Sequence, residues 1–128
     1  MRKLINKFGP EWVLRISLAA TYLYSGLDLL KHPKSWYWAV RPLPNFAQEV
    51  INYFGLDLFL QIQGGVELTF AIILILWFLP KRLTLTVVAL AAFEMAIILL
   101  LVGLDGVTFR DIGILGAAIS LYILINKK

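Results

Sequence analysis

Apolar residues fill four long runs of this chain, and a few polar or charged side chains interrupt each run at helical spacing. The runs cover residues 12–31, 57–79, 83–102 and 109–125. A helix rises about 1.5 Å per residue and a hydrocarbon core is about 30 Å thick, so about 20 apolar residues suit one crossing. The pattern predicts an all-α protein, a transmembrane four-helix bundle, built as a single integral membrane domain over residues 1–128. The fourth run is the shortest and would cross with little tilt.

Between the first and second runs lies the only long connection, residues 32–55. Pro33, Pro42 and Pro44 break structure there, while Asn45 followed by Gln48 reads as a weak capping box that opens a short helix. Phe46, Val50 and Phe54 then share one face, opposite Gln48, Glu49 and Asn52. This spacing predicts a short interfacial helix between helices 1 and 2; a lid over the bundle is the alternative. The remaining connections are tight. Pro80-Lys81-Arg82 makes one turn, and Gly103-Leu104-Asp105-Gly106 makes the other before Thr108 caps the fourth helix.

Helical spacing also selects inward faces. In the second run Gln63, Gly64, Glu67 and Ala71 share an arc, flanked by Gln61 and Gly65. Arg110, Gly113, Ala117 and Ser120 repeat the pattern in the fourth run, and Ser17, Thr21, Tyr24 and Asp28 do so in the first. Small and polar faces of this kind pack against other helices in a bilayer. Glu67 falls near the midplane and Glu94 at roughly 12 Å depth. Because a charge in hydrocarbon costs several kcal/mol, Glu67, Glu94, Arg110, Asp111, Gln61 and Asp28 form the candidate ligand-binding polar cluster. In this reading Arg110 reaches toward Glu94, and Asp111 faces Asp57 or the long connection. Arg15, about one turn inside the inner end of its helix, is read as a charge that snorkels to the headgroups, with a structural pairing to a carboxylate as the alternative.

Composition agrees with a membrane domain: 60% of residues are hydrophobic and 16% charged, too few to clothe a soluble globule of this length. Arg2, Lys3, Lys7, Lys81, Arg82, Lys127 and Lys128 fall on one side of a four-span arrangement and outnumber Lys31, Lys34 and Arg41 on the other. Both termini are thereby expected in the cytoplasm, at a prokaryotic plasma membrane. Trp12 and Trp77 lie at inner span ends, and Trp36 and Trp38 at an outer end, as an aromatic belt requires. Met1-Arg2-Lys3 before an apolar run has the outline of a secretory signal, but Arg15 interrupts the run and no cleavage is expected.

Several chemistries drop out at this stage. There is no cysteine, which excludes thiolate catalysis, disulfides and Cys-ligated clusters within the chain. The single histidine, His32, cannot ligate a haem from both sides, and the Glu-x-x-His spacing of di-metal bundles is absent, so no metal site is expected. No basic face with interleaved aromatics is present to follow a phosphate backbone, so the net charge of +4 does not mark a nucleic-acid partner.

The chain resembles the DoxX family of small four-span membrane proteins. The resemblance rests on "RISLAATYLYSGLDLLKHP" at 15–33, "GGVELTFAIILIL" at 64–76 and "FRDIGILGAAISLYIL" at 109–124, in that order, and covers nearly the whole chain. The family-like positions are Arg15, Ser25-Gly26, Glu67 after Gly64, and Arg110-Asp111; Asp28 and Glu94 depart from the family pattern. The resemblance implies a membrane subunit of a quinone-linked oxidoreductase system, with no covalent cofactor and with quinone as the electron carrier. A membrane or peripheral oxidoreductase would be its partner in the lipid bilayer. Such a subunit is not a complete enzyme alone. The resemblance equally admits a non-enzymatic scaffold or chaperone for a partner membrane protein. Lipid or small-molecule transport ranks lower, since four spans without inverted repeats do not provide alternating access unless a homodimer supplies more helices.

Overall fold

The computed structural model describes residues 9–103 and 109–127, apart from the side chains of Val102, Phe109 and Arg110. The expected turn at 103–106 and the Thr108 cap therefore lie largely outside the described residues. Helices α1 (Pro10–Lys31), α2 (Tyr37–Val40), α3 (Asn45–Phe54), α4 (Leu56–Ile75), α5 (Lys81–Val102) and α6 (Phe109–Asn126) account for most of the described chain, which contains no strand. A 3-10 turn, Pro33–Trp36, joins α1 to α2.

Proline and glycine set the helix boundaries. Pro10 opens α1, where its missing N–H is no loss, and Pro33 follows directly on the C-terminal residue His32. Pro44 and Pro80 precede α3 and α5. Gly55 and Gly103 end α3 and α5 with φ of 91° and 82°, a left-handed backbone that side chains disfavour. The capping box predicted at Asn45 does not form. Asn45 is already helical, because Pro44 pre-sets the turn, and Gln48 Nε2 instead donates to the carbonyls of Arg41 and Leu43, both at 2.9 Å.

Three helices are long and apolar enough to cross a membrane: Pro10–Lys31, Leu56–Ile75 and Lys81–Leu101; the apolar Asp111–Asn126 segment is shorter. Their outer surfaces are apolar too, with Ile16, Leu27, Ile62, Ile72, Leu90 and Ile119 exposed. That distribution suits lipid as the surrounding solvent and marks a membrane protein.

The second apolar run stops being helical at Ile75, short of the expected residue 79. Leu76 is extended, at φ −74° and ψ 121°. Pro80 has no N–H to offer the Leu76 carbonyl, so one bond of a continued helix is lost. Arg15 supplies the missing donor: Nη2 reaches Leu76 O at 3.0 Å and Nε reaches Leu74 O at 2.7 Å.

Helix α1 packs antiparallel along α4, and α5 packs along α6; contacts of α1 with α6 and of α4 with α5 join the two pairs. Leu18, Tyr22, Phe70, Leu74, Val88 and Leu121 belong to a core drawn from all four long helices. A second cluster, Leu29, Val40, Ile51 and Leu60, seats α2 and α3 on the end of the α1–α4 pair. Only Ile51 of α3 is buried; Phe46, Val50, Tyr53 and Phe54 point away from the protein.

Candidate functional site

A polar layer centred on Glu67 crosses the interior, and two glycines create it. Gly26 on α1 and Gly64 on α4 bring the backbones together so closely that a Cβ on Gly64 would lie 2.8 Å from Gly26 O. One residue from Gly26, the short Ser25 side chain can then span the gap, and its Oγ donates to Glu67 Oε2 at 2.6 Å. Glu67 is buried, and Glu94 of α5 is half-buried beside it. The two carboxyl groups lie within hydrogen-bonding reach of each other. Gln63 Nε2 donates to Glu94 Oε1, and Gln63 lies one helical turn from Glu67 on α4. Ser25 and Gln63 thus hold the pair from two helices.

Two carboxyl groups this close repel when both are ionised. Tyr22 of α1 belongs to the same region. It is 1% exposed, its ring meets Phe70 edge-on at 5.8 Å, and its hydroxyl has no hydrogen-bond partner among the described residues.

Of the predicted cluster, Glu67 and Glu94 come together as expected from their depths. Asp111 is half-buried in the first turn of α6, and Asp57 accepts a hydrogen bond from the Tyr37 hydroxyl. That bond raises Tyr37 above the usual phenol range. Arg110 and its reach toward Glu94 lie outside the described side chains. Gln61 is exposed, because it sits two residues, over half a turn, from Gln63. Asp28 is engaged at the helix end, where Trp36 Nε1 donates to its Oδ2 at 2.8 Å.

Arg15 does not snorkel. It is 7% exposed and, besides the α4 carbonyls, its Nη1 lies 3.4 Å from Glu11 Oε1 and its guanidinium 4.4 Å from the Trp12 ring centroid. The polar faces predicted to turn inward on the first and fourth runs also differ. Ser17, Thr21 and Tyr24 are exposed, and the buried face of α1 is Arg15, Leu18, Ala19, Tyr22, Gly26 and Leu29. Thr21 Oγ1 donates to Ser17 O at 3.0 Å, so its hydroxyl is satisfied within the helix and needs no partner inside. On α6 Gly113 and Ser120 face out, and Ala118, Leu121 and Ile125 face in.

Tyr22 had no signal of its own in the sequence, since a tyrosine in an apolar run reads as core. Ser25 was visible only through the family-like Ser-Gly pair, and Gln63 only through its place on the Glu67 arc.

Two clefts open elsewhere. One of about 150 Å³ is lined by Tyr37, Val40, Arg41, Gln48, Asn52 and Leu56. The other, about 450 Å³, lies along Leu85, Thr86, Ala89, Leu90, Phe93 and Tyr122. Neither is lined by Glu67 or Glu94. Among the described residues no group of three or more acidic, histidine or cysteine side chains is arranged to hold a metal ion. In comparisons with known proteins, no family model, curated protein or solved structure matches this chain.

Proposed function

We propose that this chain is a DoxX-like transmembrane four-helix bundle in a prokaryotic plasma membrane, with both termini cytoplasmic and α3 lying in the outer interface. It serves as the membrane component of a quinone-linked oxidoreductase system, and the Glu67–Glu94 layer provides the polar contact for quinone or a similar lipophilic molecule. The observation that carries this reading is the carboxyl pair itself: buried Glu67, held by Ser25, and Glu94, held by Gln63, lie close together amid apolar helices. The outward aromatic face of α3 supports the interfacial placement. Electrons would come from a membrane or peripheral partner, and a second copy could complete the assembly.

A second reading, a scaffold or chaperone that holds a partner membrane protein, is favoured by one feature. The Gly26–Gly64 contact packs α1 and α4 backbone to backbone beside the pair, as a network that sets helix register would.

Mass spectrometry of lipophilic material carried by protein purified in mild detergent separates the two. On the first reading a stoichiometric quinone accompanies the wild type and is lost from Glu67→Gln and Glu94→Gln. Bulk lipid alone, unchanged by either substitution, sinks the quinone reading and leaves the scaffold.

A further inference from the structure

A groove runs along the outer side of α5. Leu85, Thr86, Ala89, Leu90 and Phe93 line it, Tyr122 of α6 forms the facing wall, and its volume is about 450 Å³, within the range of small-molecule sites. Ala89 makes the depression, since its single methyl stands exposed among larger neighbours. Arg82 lies on the same face of the helix. Arg82, Thr86, Ala89 and Phe93 follow one another at steps of four, three and four residues, and Thr86 Oγ1 donates to Arg82 O at 2.8 Å. Arg82 is exposed and makes no ion pair among the described residues.

Length, wall and charge together select an occupant. From Arg82 to Phe93 a helix rises about 16 Å, roughly half of a hydrocarbon core of about 30 Å. The groove thus starts at a helix end and stops about one leaflet deep, as an acyl chain does. Helices that pack closely in a bilayer carry small residues four apart, whereas Ala89 has Leu85 four residues before it and Phe93 four residues after. These walls hold off the backbone of another helix but leave room for a thin, flexible chain. At the mouth, the Arg82 guanidinium offers a planar fork of donors suited to a phosphate.

We propose that this groove binds one anionic phospholipid, with an acyl chain lying over Ala89 between Phe93 and Tyr122 and the phosphate bonded to Arg82. A headgroup without a cation of its own leaves the whole phosphate charge to Arg82. The site therefore prefers phosphatidylglycerol to phosphatidylcholine with the same chains. The inference rests on α5 lying in a bilayer and not on quinone, and neither Glu67 nor Glu94 lines the groove.

The test is native mass spectrometry of the full chain in detergent, stripped of co-purifying lipid and titrated with phosphatidylglycerol or phosphatidylcholine of identical chains. Wild type should retain one phosphatidylglycerol at concentrations where phosphatidylcholine is lost. Arg82→Gln should weaken phosphatidylglycerol about tenfold, the loss of one charge-assisted hydrogen bond, and bring the two lipids level. Ala89→Leu fills the groove and should weaken both lipids, with its thermal midpoint unchanged because the residue faces outward. Arg41→Gln removes the same charge beyond α2, at the opposite end of the bundle, and should alter neither lipid. Equal losses in Arg82→Gln and Arg41→Gln would overturn the proposal, as would phosphatidylglycerol binding that survives both Arg82→Gln and Ala89→Leu. A dimer that Ala89→Leu dissociates would overturn it too, by putting a second copy in the groove.

Discussion

Arg15 shows how one side chain can be bound up with a helix end far away in sequence. Pro80 deprives Leu76 O of its helical donor, the chain leaves the helix after Ile75, and the carbonyls of Leu74 and Leu76 are left facing the interior. The Arg15 guanidinium, a planar fork of donors, fills both positions. Replacing it with alanine leaves two carbonyls unpaired and should destabilise the protein by roughly 3 kcal/mol. Arg15→Lys should recover only part of this, since one ammonium cannot reproduce the fork. Thermal unfolding in detergent checks both; an alanine variant as stable as the wild type would mean that these bonds contribute nothing net.

The α1–α4 pair depends on backbone proximity more than on side-chain bulk. A Cβ at Gly64 would meet Gly26 O at 2.8 Å and Leu29 Cβ at 2.9 Å, and one at Gly26 would meet Gly64 O at 2.9 Å. Two of these obstacles are backbone atoms, which cannot rotate away. Gly64→Ala should therefore force the helices apart at a cost of roughly 1–3 kcal/mol, and with them the Ser25–Glu67 bond. Gly65→Ala and Gly113→Ala are the matched controls. Nothing lies within 4 Å of either added methyl, so helix propensity should make them neutral or stabilising by up to about 1 kcal/mol. Similar losses at all three sites, read as thermal midpoints, would refute the close-contact account. The contrast also explains a misreading of faces: small residues were taken as inward, yet among the described glycines only Gly26 and Gly64 meet another backbone, while Gly113 and Ser120 look outward.

For the molecule as a whole, the proposed orientation puts both termini in the cytoplasm, which requires an even number of crossings. Three helices are long and apolar enough to cross, so the proposed arrangement requires the shorter α6 as the fourth crossing. A reporter fused after Lys128 should signal from the cytoplasmic side, and one inserted at Glu49, on α3, from the opposite side. A non-cytoplasmic signal from the C-terminal fusion would mean that α6 does not cross and that the four-span arrangement is wrong.

Hydropathy and punctuation were enough to locate the long helices to within a few residues, because the length of an apolar run and the position of Pro and Gly are local facts. The early end of α4 was not legible, since it depends on a donor arriving from α1. Depth along two helices placed Glu67 and Glu94 at comparable levels, because rise per residue is constant. Rotation about the helix axis was another matter. Whether Gln61 or Gln63 meets Glu94, whether Asp28 joins the layer or bonds Trp36, and whether Tyr22 or Tyr24 faces inward all turn on small angular differences. A bilayer weakens the usual guide, since leucine is as comfortable against lipid as against another helix and threonine can satisfy itself on its own backbone. Local chemistry thus decided which segments are helices and how deep their charges lie, while the close approach of Gly26 to Gly64 decided that Ser25 meets Glu67, and the packing of α5 on α4 that Glu94 meets Gln63.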